Sequence, residues 1–218
     1  MTATGVPQAY VTGWKGFYRR EFAVNEHVLV PRPETEHLIE DALEFMRTPG
    51  RRRVLDVGTG SGAIACTIAS EVSDAIVTAS DVSLPALIVA ARNAARLGVA
   101  ERCTFALADI APEGEDGYDL ILANLPYIPS ADVPQKPDPV GFEPRLATDG
   151  GGDGLDEYRK LLARAPSLVH AGALLLMEAA PPTIIGLLTL AQATFPVAAI
   201  TVHRDYAYLE RYVRIATR

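Results

Sequence analysis

Cysteine is nearly absent: Cys66 and Cys103 are the two in 218 residues. Two do not make a disulfide framework, and both stand in apolar surroundings, which predicts buried free thiols. Positive charge is short as well. The net charge is -7, so the surplus of Lys and Arg that a nucleic-acid partner demands is missing. Arg51-Arg52-Arg53 is the densest basic run, and it reads as a solvated strand start. No apolar run reaches the length of a membrane span. Met1-Thr2-Ala3-Thr4-Gly5 lacks a basic region followed by an apolar one. These absences predict a cytoplasmic protein without a membrane partner. The four histidines (His27, His37, His170, His203) have no ligand spacing, which predicts no metal site. What is present is ordinary: 49% hydrophobic and 22% charged residues, enough for a full core. The length fits one α/β domain, or one domain with an appendage.

Residues 1–13 read as a loose lead-in. Between Trp14 and Val24, the apolar Phe17, Tyr18, Phe22 and Val24 flank Arg19-Arg20, which predicts a β-hairpin. Val28-Leu29-Val30 reads as a short strand. Residues 31–36 open a helix, with proline in the first turn and acids at the positive end of the dipole. Leu38, Ile39, Ala42, Leu43 and Met46 form its apolar face, and Pro49-Gly50 ends it. From Arg53 strand and helix alternate. Strands are predicted over 54–57, 76–81, 104–108, 118–123 and 173–177, and helices over 63–71, 85–97, 155–165 and 183–194. Two last strands, 200–204 and 211–215, share a short loop, so the final one runs antiparallel. Alternation of this kind predicts a parallel sheet with helices on both faces. Residues 128–153 are rich in Pro and Gly. A loop that long is usually functional or disordered, and its composition fits a lid that orders with ligand.

Chemistry concentrates at strand ends. Asp56-Val57-Gly58-Thr59-Gly60-Ser61-Gly62 joins the 54–57 strand to a helix. Its glycines permit positive φ and close approach of a ligand to the backbone. The spacing differs from the Gly-x-Gly-x-x-Gly of dinucleotide folds. The acid before the first glycine would repel a pyrophosphate and suits an amino group. Asp81 ends the next strand, where a carboxylate accepts both hydroxyls of a ribose. Asp109 follows the third strand, placed for an adenine amino group beside the apolar Ile110. A ribose, an adenine and an ammonium without a pyrophosphate describe S-adenosylmethionine as cofactor.

Asn124-Leu125-Pro126-Tyr127 follows the 118–123 strand. Methyl transfer from a sulfonium requires chiefly aim and desolvation. An amide nitrogen has a delocalised lone pair that points the wrong way. The Asn124 oxygen and the Leu125 carbonyl could each accept one N–H of an NH₂ group, which turns that lone pair toward the methyl. Pro126 stiffens the turn and Tyr127 stacks on the planar target.

These segments resemble the protein-glutamine N5-methyltransferases that modify peptide-chain release factors, the HemK/PrmC family. The resemblance rests on Tyr10-Val11-Thr12-Gly13, Phe17-Tyr18, Val28-Leu29-Val30 with Pro31-Arg32-Pro33-Glu34-Thr35-Glu36, Asp56 to Ala65, and Asn124 to Ile128. It continues through Glu143-Pro144-Arg145-Leu146-Ala147, Asp149-Gly150-Gly151 and Asp153-Gly154-Leu155. It implies a Rossmann-like class I S-adenosylmethionine-dependent methyltransferase with a seven-stranded, mostly parallel sheet and an N-terminal β-hairpin. It implies two parts: 1–36, the hairpin and substrate-groove segment, and 37–218, the catalytic domain. It also implies a release factor as protein partner, whose Gly-Gly-Gln glutamine enters beside Asn124. Phe17, Arg32, Pro33 and Glu34 would then line the groove; Glu34 and Glu36 fit helix-start acids equally well.

Three departures stand out. The family has a helical domain ahead of the hairpin, whereas little precedes Tyr10; either the chain is truncated or the substrate is recognised differently. The family motif is Asn-Pro-Pro-Tyr, and here Leu125 takes the second position. Asn-Leu-Pro-Tyr also resembles ribosomal-RNA adenine dimethyltransferases, so the alternative activity is adenine N6-methylation of RNA or DNA. Third, Ala179-Ala180 follows Glu178, where the family has an apolar residue and Gly.

Overall fold

The computed structural model describes residues 5–205 and 207–218. Seven strands form the main sheet: β3 (Arg53–Val57), β4 (Ile76–Asp81), β5 (Cys103–Leu107), β6 (Tyr118–Ala123), β7 (Val169–Glu178), β8 (Ala199–Arg204) and β9 (Glu210–Ala216). Their order is β5-β4-β3-β6-β7-β9-β8. Only β9 runs against its neighbours, β7 and β8. The chain steps outward from β3 to β5 and then returns to place β6 beside β3. That reversal is the topological switch point at which ligands of open α/β sheets bind.

Alternation along the strands divides the core into two layers. Val54, Leu120, Leu122, Leu174 and Leu176 face α2 (Glu36–Met46) and α3 (Ala63–Glu71). Leu55, Ile121, Leu175, Val213 and Ile215 face α5 (Asp156–Leu168) and α6 (Pro181–Thr194). Every residue of β6 is buried, as a central parallel strand covered on both faces requires. Truncating one of its leucines to alanine removes about 2–5 kcal/mol. A further helix, α4 (Leu84–Leu97), starts with the Ser83 hydroxyl accepting from Ala86 N and stops at Gly98 in the left-handed region, as expected of such a cap.

The hairpin packs outside this sheet. β1 (Trp14–Phe17) and β2 (Arg20–Ala23) pair with Phe17 opposite Arg20. Tyr18 and Arg19 therefore form a two-residue loop, with φ of 43° and 63°, the geometry that suits strand twist. Glu36 Oε1 accepts from Tyr18 N at 3.0 Å, which fastens the loop to α2.

Two expectations are corrected. Residues 1–4 of the lead-in lie outside the described residues, and the rest is not loose: α1 (Gln8–Thr12) is a single turn closed by Gly13, and Tyr10 Oη donates to Val28 O at 2.6 Å. One turn is too short to repeat an apolar face, so no periodicity marks it. Val28-Leu29-Val30 belongs to no strand. Val30 N donates instead to Glu143 Oε1 at 3.1 Å, so its backbone is satisfied by a carboxylate rather than a ladder.

Segment 128–153 contains two 3₁₀ turns, Pro139–Phe142 and Arg145–Ala147. An isolated bridge joins Ile128 to Asp149, and Gly150 N donates to Ile128 O at 2.8 Å. The arginine run is split among structural duties. Arg51 lies over the Phe45 ring, Arg53 lies over Tyr118, and Arg52 pairs with Asp74. Both cysteines are buried and free. At the edge of the sheet away from the switch point, Asp119 accepts from Arg52 N at 2.7 Å and Arg53 N at 2.8 Å. His170 Nε2 lies 2.9 Å from its other oxygen.

Candidate active site

Parallel register lines up the strand ends. Ser80 pairs with Val57, Val57 with Ala123, and Ala123 with Met177. One residue further along stand Asp81, Gly58, Asn124 and Glu178, each directly following that paired rung. Two cavities, about 200 and 270 Å³, open over this rung and share Arg32, Asn124, Leu125 and Pro126 as walls.

The first cavity lies over the glycine turn and Asp81. Gly58 has φ 70°, and a Cβ there would come within 2.8 Å of Leu125 Cδ2. Only glycine satisfies both demands. The turn is braced from below. Asp56 Oδ2 accepts from Thr59 Oγ1 at 2.6 Å and from Ala65 N at 3.1 Å, while Oδ1 has no partner among the described residues. Burial pushes the Asp56 carboxyl up to about 7, against hydrogen bonds from Thr59 and Ala65. Asp81 accepts Gly60 N on one oxygen and Ser83 N on the other, both at 2.9 Å. Burial raises its pKa, and those N–H groups oppose the rise. A carboxylate has about four acceptor sites, so each Asp81 oxygen keeps one for a ligand. Lys160 pairs with Asp109 at 3.5 Å and Glu157 at 2.9 Å, and Arg32 pairs with Glu143. The cations on this wall are thus committed to carboxylates, which disfavours a phosphate ligand.

Ile110 has φ 72°, an outlier for a β-branched residue that costs roughly 1–3 kcal/mol. The Ser80 hydroxyl donates to its carbonyl and holds it there. Ile110 forms part of the first cavity's wall.

The second cavity is lined by Glu34, Tyr127, Glu178 and Arg211 together with the shared residues. Asn124 Nδ2 donates to Thr35 Oγ1 at 3.0 Å. Tyr158 Oη accepts from Leu125 N at 3.3 Å and donates to Glu178 O, so one buried tyrosine ties the two strand ends together. Burial pushes the Glu178 carboxyl up to about 7. The Thr35 hydroxyl, the Arg211 charge and the Asn124 amide lower it, and the Glu34 charge raises it. Tyr127 is also raised, by burial first and then by Glu178.

Thr59, Gly60, Ser61, Asp81, Asp109, Ile110 and Asn124 all reach the first cavity. Leu125 and Pro126 line both cavities; Tyr127 lines the second only. Phe17 is a core aromatic, edge-on to Phe22 at 6.0 Å, and it also lines the first cavity. Arg32 lines both cavities and Glu34 the second. Three expected residues line neither. Asp56 lies fully buried beneath the turn. Gly62 faces α4, where a Cβ would lie 3.0 Å from Ala90 Cβ. Pro33 starts the 3₁₀ turn Pro33–Thr35 and is exposed. Thr35, Glu178 and Arg211 were not singled out from the sequence. Their signal lies in strand register and contact, which spacing does not carry.

The methyltransferase small domain family matches residues 37–135. A release factor glutamine methyltransferase of Neisseria gonorrhoeae is 46% identical over 177 residues, 80% of this chain and 63% of that protein. A release factor glutamine methyltransferase of Moorella thermoacetica is 45% identical over 177 residues, 81% of this chain and 62% of that protein. Among solved structures, a T. thermophilus 16S rRNA N2 G1207 methyltransferase in complex with AdoMet and guanosine superposes with a TM-score of 0.65. It is 16% identical, over 94% of this chain and 50% of that one. Sheet order, hairpin and glycine turn give the Rossmann-like fold of class I methyltransferases. By sequence the chain is similar to release factor glutamine methyltransferases over the part of them that it spans. It spans about three fifths of the length of these curated relatives.

Proposed function

We propose that the chain transfers a methyl group from S-adenosylmethionine to the side-chain nitrogen of a glutamine in a protein. The substrate is the Gly-Gly-Gln loop of a peptide-chain release factor, so the reaction serves translation termination in the cytoplasm. The observation that carries this is the Asn124 amide at the junction of two cavities, its nitrogen committed to Thr35. Its oxygen is thereby left as an acceptor for an incoming N–H.

The residues of the first cavity fit the cofactor. Asp56 lines neither cavity and would act through the turn that it braces from beneath. The two free acceptor sites on Asp81 meet the need of a ribose diol. Asp109 at the rim and the strained Ile110 would hold the adenine. The turn Gly58-Thr59-Gly60-Ser61-Gly62 would admit the chain between them. When bound, the donor supplies a sulfonium methyl whose bond to sulfur breaks, the electron pair leaving on sulfur, as the bond to nitrogen forms.

In the second cavity, Asn124 Oδ1 and the Leu125 carbonyl accept hydrogen bonds from the two N–H groups of the glutamine amide. Tyr158 gives its proton to Glu178 O, so the Leu125 carbonyl keeps acceptor capacity. This pairing turns the nitrogen lone pair toward the first cavity and stabilises the charge that develops there. The proton released after transfer passes to water. Pro126 and Tyr127 wall the planar amide, and Phe17, Arg32 and Glu34 border its way in. Residues 1–36 act as the groove segment and 37–218 as the catalytic domain. Adenine N6-methylation is not favoured by the names of the relatives.

The test is label transfer from S-adenosylmethionine to a purified release factor, with the modified residue mapped. Label on glutamine is expected; label on RNA, or on another residue, rejects the assignment. Asn124→Ala should retain cofactor affinity by calorimetry and lose turnover by about 10²–10³-fold.

A further inference from the structure

Glu178 and Thr35 lie outside the roles just assigned, although both touch the group that performs them. Asn124 and Glu178 stand at neighbouring strand ends because Ala123 pairs with Met177. Thr35 comes from a different part of the chain, the turn that opens α2, and is 3% exposed. Its hydroxyl oxygen accepts from Asn124 Nδ2 at 3.0 Å. Having accepted there, the hydroxyl has one proton to give, and the buried Glu178 carboxyl stands at the neighbouring strand end, its pKa lowered by both the Thr35 hydroxyl and the Asn124 amide. Glu178 Oε2 has no partner among the described residues. Glu178 is 3% exposed, and its backbone carbonyl is fixed by Tyr158.

We infer that Thr35 and Glu178 are positioning residues that set the orientation of the Asn124 amide, nitrogen toward Thr35 and oxygen toward the substrate. An amide flipped by 180° would present donors to the glutamine NH₂, and two donors repel. The chain is directional because an ionised carboxylate only accepts. It pulls the Thr35 proton toward itself, which leaves the Thr35 oxygen to accept from Asn124. A protonated Glu178 can donate to Thr35, and the direction is no longer imposed. The groups that face Glu178 act on this equilibrium together. Glu34, on the Thr35 turn, opposes its ionisation, while Arg211, on β9, supports it. Tyr127, from the loop after β6, and Tyr158, on α5, stay neutral because Glu178 and burial raise both. Burial holds Glu178 near neutrality, so the amide is oriented above about pH 7 and loosened below it.

The role given to Asn124 in catalysis rests on the proposed glutamine methylation, but the orientation itself is measurable without turnover. In the protein free of ligands, the Asn124 side-chain NH₂ resonances should shift with pH around 7. They should stay flat in Glu178→Gln. With a release factor as substrate, Thr35→Val should lower kcat on the order of 10- to 100-fold with cofactor affinity unchanged. Thr35→Ser should restore most of it. Glu178→Gln should remove the acid limb of the kcat–pH profile. Flat Asn124 resonances in the wild type, or full kcat in a folded Thr35→Val, overturn the inference. If the wild-type protein methylates no release factor, the functional assignment fails. The resonance titration then decides the orientation by itself: a shift lost in Glu178→Gln supports it, and no shift rejects it.

Discussion

Leu125 occupies the space that a side chain on Gly58 would need, its Cδ2 standing 2.8 Å from where a Cβ would lie. The turn over the first cavity and the turn that carries Asn124 are therefore locked face to face. Gly58→Ala should cost about 1–2 kcal/mol for the positive φ alone, and more for the collision. Leu125→Ala in the same chain should recover the steric part only. Thermal unfolding of the single and double variants checks this as a double-mutant cycle. Strictly additive losses would show that the two residues do not meet.

Asp56 gives a pH-dependent expectation of definite sign. Its folded pKa of about 7 stands above the unfolded value of 3.8. Between those values the unfolded chain loses the proton first, so this residue subtracts stability as pH rises, and the full loss persists above 7. Asp56→Asn keeps an acceptor for Thr59 and Ala65 without the buried charge. Its melting temperature should match wild type near pH 4 and exceed it at pH 8, by about 2–4 °C for each kcal/mol recovered. A variant less stable than wild type at pH 8 would contradict the assigned buried charge.

Asp119 joins the strands far from the cavities. Burial alone would raise its pKa, but the Arg53 and Arg52 N–H groups and His170 more than offset that. Asp119→Ala leaves two backbone donors without their acceptor, at about 1–3 kcal/mol for an unsatisfied group. Denaturant unfolding should show this loss, while cofactor affinity by calorimetry stays within about twofold, well under the tenfold that 1.4 kcal/mol represents. A large change in affinity would place Asp119 in the site.

Glu143 fastens the 128–153 segment to the residues before α2. Its side chain is 1% exposed, and it accepts from Val30 N and pairs with Arg32. Glu143→Ala should destabilise the protein by about 1–3 kcal/mol, below the 3–5 of a fully buried pair because Arg32 is partly solvated. Amide exchange should quicken at Val30 and through the segment, with β3 and β6 unaffected. Uniform exchange across the sheet would mean that the pair serves global stability instead.

Most strands and helices were readable because period-two and period-3.6 patterns are local properties of the chain, whereas the strand order that makes the switch point is not. α1 and the Val28–Val30 stretch were not readable, since one is a single turn and the other finds its hydrogen bond 113 residues away on Glu143. The glycine turn announced itself by composition, and the strand-end aspartates by position. Composition does not reveal which way a strand-end acid points, so Asp56 read as a wall residue although it braces the turn from beneath. Pro33 resembled a groove residue through its neighbours Arg32 and Glu34, yet the 3₁₀ turn carries it outward. Glu178 closes an apolar run and looks like an ordinary strand end until register sets it beside Asn124. Thr35, lying between two acids, is legible only once α2 is packed against β7.

Asp81, Gly58, Asn124 and Glu178 each directly follow the paired rung Ser80-Val57-Ala123-Met177, which makes the sheet a ruler. Neighbouring strands are spaced by backbone hydrogen bonds at about 4.8 Å, so three spacings from Asp81 to Glu178 come to about 14 Å. That span is fixed by main-chain geometry and is indifferent to rotamers. Exchanging side chains at these positions can change what is gripped at each mark. Changing how far apart the two ends of a ligand are gripped requires a strand to be added, removed or slipped in register.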